Sequence, residues 1–328
     1  MVKSNNLVKK TTILAVTAGV AVGLTMASMP GAQAATAKKI VFIQGVKGDG
    51  FYITMGCGVN AEAKKLGATV TTQGPAKFDA TLQRPILASV VASKPDAILI
   101  APNDVNAMQK PLEQAAKAGI KVVLVDTTVR NPSFAVSQIS SNNLAGGAAA
   151  FAAVKRLVPD GGKVMGIGVK PGISTTDARD KGFAQAAAAS GGKYTFVGQQ
   201  YSQNEPAIAA QITTAALAKD PDLKAIFASN LFSAEGAATG IKQAGKEGQV
   251  VVIGFDAGPD QVKALKAGTV QALIAQQPYS IGVQGIDQAM NALTGKATKK
   301  KITTGFSILT PQNINTPAGK KGQYLSTC

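Results

Sequence analysis

The sequence predicts an α/β protein built from two doubly wound parallel-sheet halves. Three observations carry this expectation. Short continuous apolar runs alternate with helix-period stretches, the alternation restarts near residue 135, and a strand–helix–strand unit of the first part is echoed in the second. Continuous apolar strands are what a sheet covered by helices on both faces requires, because both side-chain faces are then buried.

The first part begins with a buried-strand run at 39–44. Helical periodicity follows over 52–66 and stops at Gly67, and 68–72 is strand. The pattern predicts helices over 80–92 and 106–118, the second closed by Gly119, with strands at 97–101 and 121–125. The second part opens with an extended stretch at 135–139 and a helix over 142–157. Strands are expected at 163–167, 194–198, 225–228, 250–253 and 271–274, with helices in the gaps and a last helix at about 281–293.

The echo pairs 97–126 with 225–256. In each stretch a strand ends near an asparagine, Asn103 or Asn230, and a later strand ends in an aspartate, Asp126 or Asp256. Two copies are too few for a solenoid. Doubly wound sheets bind ligands outside the carboxyl ends of their strands. Two such halves facing each other would bring these four polar groups to one cleft.

The chain opens like a secretory leader. Lys3, Lys9 and Lys10 precede an uncharged stretch at 11–29, and Ala32-Gln33-Ala34 is a small-x-small cleavage pattern, so cleavage is expected after Ala34. Pro30 and that pattern argue against a membrane anchor, and no cysteine stands there to take a lipid. The compartment expected is the periplasm. The formal net charge of +16 is spread along the chain. Its one dense run, Lys299-Lys300-Lys301, reads as a solvated turn. Export and scattered lysines argue against nucleic acid, although a positive cleft would suit an anionic ligand. There is no histidine, which excludes a Ser-His-Asp triad, a Cys-His pair and any His-ligated metal. Cys57 and Cys328 are too few for a structural zinc site; in an oxidising compartment they are the pair available for one disulfide, joining the tail to the first lobe. No cofactor is expected.

Several segments, taken in order, resemble the type I periplasmic sugar-binding proteins of the ribose-binding group. They are Asp49-Gly50-Phe51-Tyr52, Val122 to Asp126, Ser140 to Asn143 before Gly146-Gly147, Arg179 to Phe183, Val252 to Asp256, and Ile274 to Pro278. The resemblance covers essentially the whole chain after the leader. It implies two Rossmann-like lobes joined by a three-crossing hinge. Lobe I would hold 35–140 and 278–306, lobe II would hold 141–277 and 307–328, and the crossings would lie near Ser141, Gln277 and Phe306. It implies that Phe51 and Tyr52, next to Asp49, stack on a sugar ring, whose C–H face is apolar. Asp126 and Asp256 would accept hydroxyl hydrogen bonds, Arg179 would read hydroxyls with its planar fork, and Asn230 and Gln276 would supply amides. Thr127, Ala101 and Leu231 depart from the ribose-binding pattern, and Gln203 stands about where a second aromatic plate is expected.

The function implied is capture of a sugar-like solute by hinge closure, without catalysis, by a monomer that delivers it to an ABC importer permease. A sensor component handing ligand to a chemoreceptor or kinase is the alternative. A nicotinamide-dependent oxidoreductase is a remote one: Gly56 to Ala61 spells G-x-G-x-x-A, but inside a helical stretch and not at a strand end, so its glycines are expected to serve helix packing. A sugar-responsive repressor would carry a helix-turn-helix where this chain has a leader. Asp256→Ala is expected to abolish binding and leave the fold intact.

Overall fold

The computed structural model describes residues 7–15 and 37–328. The cleavage point expected after Ala34 and most of the expected leader lie outside the described residues. Strands β1 (Lys39–Ile43), β2 (Thr69–Gln73), β3 (Ala97–Ile100), β4 (Lys121–Val125) and β5 (Ser137–Ser141) alternate with helices α1 (Gly50–Lys65), α2 (Ala80–Ala92) and α3 (Gln109–Lys117). Next come α4 (Asn143–Leu157), β6 (Gly162–Gly168), α5 (Ser174–Ala188), β7 (Tyr194–Tyr201), α6 (Pro206–Lys219), β8 (Leu223–Ala228) and α7 (Leu231–Gln243). Then follow β9 (Val251–Phe255), α8 (Pro259–Ala267), β10 (Ala272–Ala275), α9 (Pro278–Leu293), β11 (Lys301–Thr304), β12 (Ser307–Leu309) and α10 (Pro317–Lys321).

These strands form two six-stranded sheets, ordered β2-β1-β3-β4-β5-β11 and β7-β6-β8-β9-β10-β12. Every pairing is parallel except β12 with β10. The chain therefore passes between the sheets three times: after β5, after β10 and between β11 and β12. The run at Lys299 to Lys301 is not a simple turn. Lys301 opens β11, an edge strand paired with β5, and lysine on an edge discourages further pairing.

Strand alternation explains the unbroken apolar runs. In the first sheet Ile40, Phe42 and Leu99 face Met55, Val59, Ile281 and Ile286 of α1 and α9. Val41, Ile43, Ile98 and Ile100 face Leu87, Val90 and Leu112 of α2 and α3. In the second sheet Phe227, Ile253 and Phe255 face Phe151 and Phe183 of α4 and α5. Each such side chain contributes roughly 1.5–3 kcal/mol when fully buried. The G-x-G-x-x-A match lies inside α1, as expected. Gly58 lets α1 touch the Tyr279 carbonyl of α9, and Gly282 of α9 meets the Met55 carbonyl in return. Gly56 is different: a Cβ there would reach Phe42 only at 3.9 Å, so it does not serve close packing.

Candidate functional site

Asp126 and Asp256 are the first residues past β4 and β9, and both hold positive φ, +63° and +78°. Aspartate tolerates this region better than most residues. The conformation is fixed in the same way in each half. The Asp126 N–H donates to the Ile139 carbonyl of β5 at 2.8 Å, and that of Asp256 to the Ile274 carbonyl of β10 at 2.9 Å. The internal echo in the sequence is thus a repeated strand-end device, in which an extra ladder bond turns the chain at the carboxylate.

The two carboxylates face one cavity between the sheets, about 390 Å³ of atom-free space including its mouth. From the first half it is lined by Asp49, Phe51, Tyr52, Phe78 and Asp126. From the second come Val169, Ile173, Thr175, Thr176 and Arg179, then Asn204, Asn230, Asp256 and Gln276. Three contacts close the halves on each other around it. Lys77 pairs with Glu205 at 2.9 Å, Val105 N–H donates to the Gly172 carbonyl at 3.0 Å, and Thr128 N–H donates to Ser174 Oγ at 2.9 Å.

Eight of the nine residues singled out from the sequence line this cavity. Asp49 also caps α1, accepting from Phe51 N–H at 2.8 Å. Tyr52 donates its hydroxyl to Asp126 Oδ2 at 2.8 Å, and its ring meets Phe51 edge-on, so both aromatics are core and cavity wall together. Asn230 caps α7 and donates to Asn204 Oδ1 at 2.6 Å. Arg179 makes no salt bridge to Asp177 or Asp180. Its Nε donates to Asn143 Oδ1 at 2.8 Å and Nη1 to the Ser229 carbonyl at 2.9 Å, while the guanidinium lies 3.8 Å from the Phe255 ring centre. Asp256 accepts three times: from Gln276 Nε2 at 2.7 Å, Tyr324 hydroxyl at 3.0 Å and Leu231 N–H at 3.1 Å.

Asn103 is the residue not brought to the cavity. It lies three residues past β3, whereas Asn230 lies two past β8, and its Nδ2 turns back to the Gly45 carbonyl at 3.0 Å. Sequence reasoning missed Phe78, Asn204, Thr175 and Thr176. Phe78 supplies a third aromatic, from the first half, where the family resemblance pointed to Gln203 in the second. Phe78 and Asn204 sit in loops with no periodicity to mark them. The signal available was position alone, since each follows an outer strand, β2 or β7.

The site is polar and acidic. Three aspartates share it with one arginine. Burial, reinforced by the Asp256 charge, raises the Asp49 carboxyl from 3.8 to about 8. Burial raises Asp126 to about 6, against the pull of Arg179 and the Tyr52 hydroxyl. Three buried polar atoms of the lining, Asp126 Oδ1, Gln276 Oε1 and Thr176 Oγ1, have no protein partner. Buried polar atoms are almost always bonded. These three can all accept, so they suit a compact molecule carrying several hydroxyl donors.

Comparison with known proteins agrees with this geometry. The ribose import binding protein of Salmonella typhimurium is 30% identical over 80% of this chain and 87% of its own. A solved ABC transporter solute binding protein from Agrobacterium vitis, bound with alpha-D-tagatopyranose, superposes with a TM-score of 0.85 at 39% identity. It covers 88% of this chain and 99% of that one. A second from the same organism, with bound D-fucose, gives 0.84 at 33% identity over 87% of this chain and 100% of that one. The model of the periplasmic binding protein domain matches residues 40–297, and with two parallel-sheet lobes closed over one polar cleft, the chain belongs to that family of solute-binding proteins.

Proposed function

We propose that this protein captures a neutral sugar in the interlobe cleft and delivers it, as a periplasmic monomer, to the permease of an ABC importer. The observation that carries the reading is the set of unpartnered buried acceptors, Asp126 Oδ1, Gln276 Oε1 and Thr176 Oγ1, in a cavity walled by Phe51, Tyr52 and Phe78. Hydroxyl donors meet the acceptors, and an apolar ring face meets an aromatic wall. Relatives that bind ribose, tagatose and fucose support the class. The lobes proposed are 35–140 with 278–306, and 141–277 with 307–328, after removal of the leader at Ala34. Their hinge crossings lie near Ser141, Gln277 and Phe306.

The same charges argue against the anionic ligand that the chain's net charge suggested. With Asp49 holding its proton, a sugar acid would still meet the Asp126 and Asp256 carboxylates against one arginine, and like charges in a buried site repel strongly. Closure supplies the mechanism: only the closed form offers Asp126 on one wall together with Arg179, Asn230 and Asp256 on the other, so ligand shifts the population toward it. The polar groups are arranged to hold a hydroxylated ring, and the reading is one of binding without bond chemistry.

A thermal-shift panel tests it. D-tagatose, D-fucose, D-arabinose, D-ribose and D-allose are compared with galacturonate and glucuronate. A ligand at a hundred times its Kd stabilises by about 2.7 kcal/mol, which raises Tm by several degrees. The expected hit is a neutral sugar. A shift from the acids alone would contradict the assignment.

A further inference from the structure

The segment 322–328 does not line the cavity, yet it holds residues that do. Tyr324 is buried, and its N–H donates to the Ala257 carbonyl at 2.9 Å. Its hydroxyl accepts from Gln276 N–H at 2.8 Å and donates to Asp256 Oδ1 at 3.0 Å. Its ring is 5.9 Å from Phe51. One residue on, the Leu325 N–H donates to Thr54 Oγ1 of α1 at 2.7 Å. The segment then ends in a disulfide between Cys328 and Cys57 of α1, whose Cα atoms are 5.4 Å apart. Upstream, the same stretch of chain belongs to the second sheet through β12, and Leu309 and Ile314 are buried in the core.

This strap therefore runs from the second-sheet lobe to the helix that carries Phe51 and Tyr52. We propose that it is a positioning element of the binding site and a fourth, covalent link across the hinge. Tyr324 sets the Asp256 carboxylate and the Gln276 backbone in their binding geometry. The Cys57–Cys328 disulfide narrows the range over which the lobes swing apart. The chain itself crosses between lobes three times, all at strand ends. The disulfide adds a closed loop to that side, so the lobes cannot separate there without moving Tyr324. A hydroxyl shared between a carboxylate and a backbone N–H fixes both partners, because loss of either bond leaves a buried polar group unmet. The positioning half of the proposal rests on the reading of the cavity as a sugar site, while the covalent link does not.

Two measurements test it together. The first is calorimetric Kd for D-tagatose and D-ribose at 25 °C on wild type, Tyr324→Phe and Tyr324→Ala. Tyr324→Phe is expected to bind about tenfold more weakly, a change of about 1.4 kcal/mol, while remaining folded. A merely structural role would lower Tm and leave Kd unchanged. Wild-type affinity in the phenylalanine variant would overturn the positioning role. Should neither these two nor any other neutral sugar of the thermal-shift panel bind the wild type, the sugar reading and the positioning role fall together. The second measurement is small-angle scattering of ligand-free protein, oxidised, reduced with dithiothreitol, and as Cys57→Ser/Cys328→Ser. The reduced and double-serine forms are expected to show a larger radius of gyration than the oxidised form. Superimposable curves would overturn the link, whatever the sugar experiments show.

Discussion

Asp126→Asn is the substitution that separates binding from folding at this site. Asp126 has one protein partner for its carboxylate, the Tyr52 hydroxyl on Oδ2, and its Oδ1 has none. Asparagine keeps an oxygen for Tyr52 and removes the charge. A charge-assisted hydrogen bond contributes roughly 1.5–3 kcal/mol, so Kd should rise about 10- to 150-fold at 1.4 kcal/mol per decade. The fold should not suffer. Burial already disfavours the ionised carboxylate, raising it from 3.8 to about 6. At pH 7.5 removal of that charge offsets up to roughly 3 kcal/mol, at about 1.4 kcal/mol for each pKa unit. The assay is isothermal titration with the sugar that shifts wild type most, beside a ligand-free melt of each protein. Affinity within threefold of wild type would refute the assignment of Asp126 to the ligand, and a Tm drop beyond a few degrees would refute the energetic argument.

Asp256→Ala, by contrast, should not leave the fold intact, because three donors lose their acceptor. At about 1–3 kcal/mol for each, the ligand-free Tm should fall by on the order of 10 °C; a melt indistinguishable from wild type would contradict this. Arg179→Lys keeps the charge but loses the planar fork shared by Asn143, Ser229 and Phe255. Affinity is expected to fall at least tenfold, and a titration showing no change would remove Arg179 from the site. Asp49 gives a pH signature. Its carboxyl, raised to about 8 by burial, holds a proton that unfolding releases, so its contribution to stability is full below about pH 4 and is lost as pH rises toward 8. Asp49→Asn, still a helix cap, should lose less Tm between pH 5 and pH 8 than wild type does; parallel profiles would contradict the shift. Phe78→Ala should weaken sugar binding through loss of an aromatic wall, and equal affinity would show that Phe78 borders the cavity without serving it.

Much of the fold could be read because parallel strands buried on both faces are apolar throughout. The runs at 97–101 and 121–125 need no periodicity to be seen, and helices α1 and α3 end just before Gly67 and Gly119, the glycines that marked their stops. The short edge strands were hidden for the opposite reason. β11 has three polar residues out of four and starts in a lysine run, and β12 has three residues. The strand-end aspartates were legible from one rule about doubly wound sheets, and their positive φ explains why each turns at the same point. That rule misplaced Asn103, because one more residue after β3 turns its amide under Gly45. Tyr324 was beyond sequence reasoning. It lies 68 residues from Asp256 in a stretch without pattern, and only the folded chain brings the phenol to the carboxylate.

The most direct test of the account is isothermal titration of the protein from residue 35 onward with D-tagatose, D-fucose, D-arabinose, D-ribose and D-allose, followed by recovery of the sugar. The account predicts one site for each chain, micromolar or tighter affinity for at least one neutral sugar, and release of that sugar unchanged. Absence of heat from every neutral sugar, or release of a chemically altered one, would contradict it.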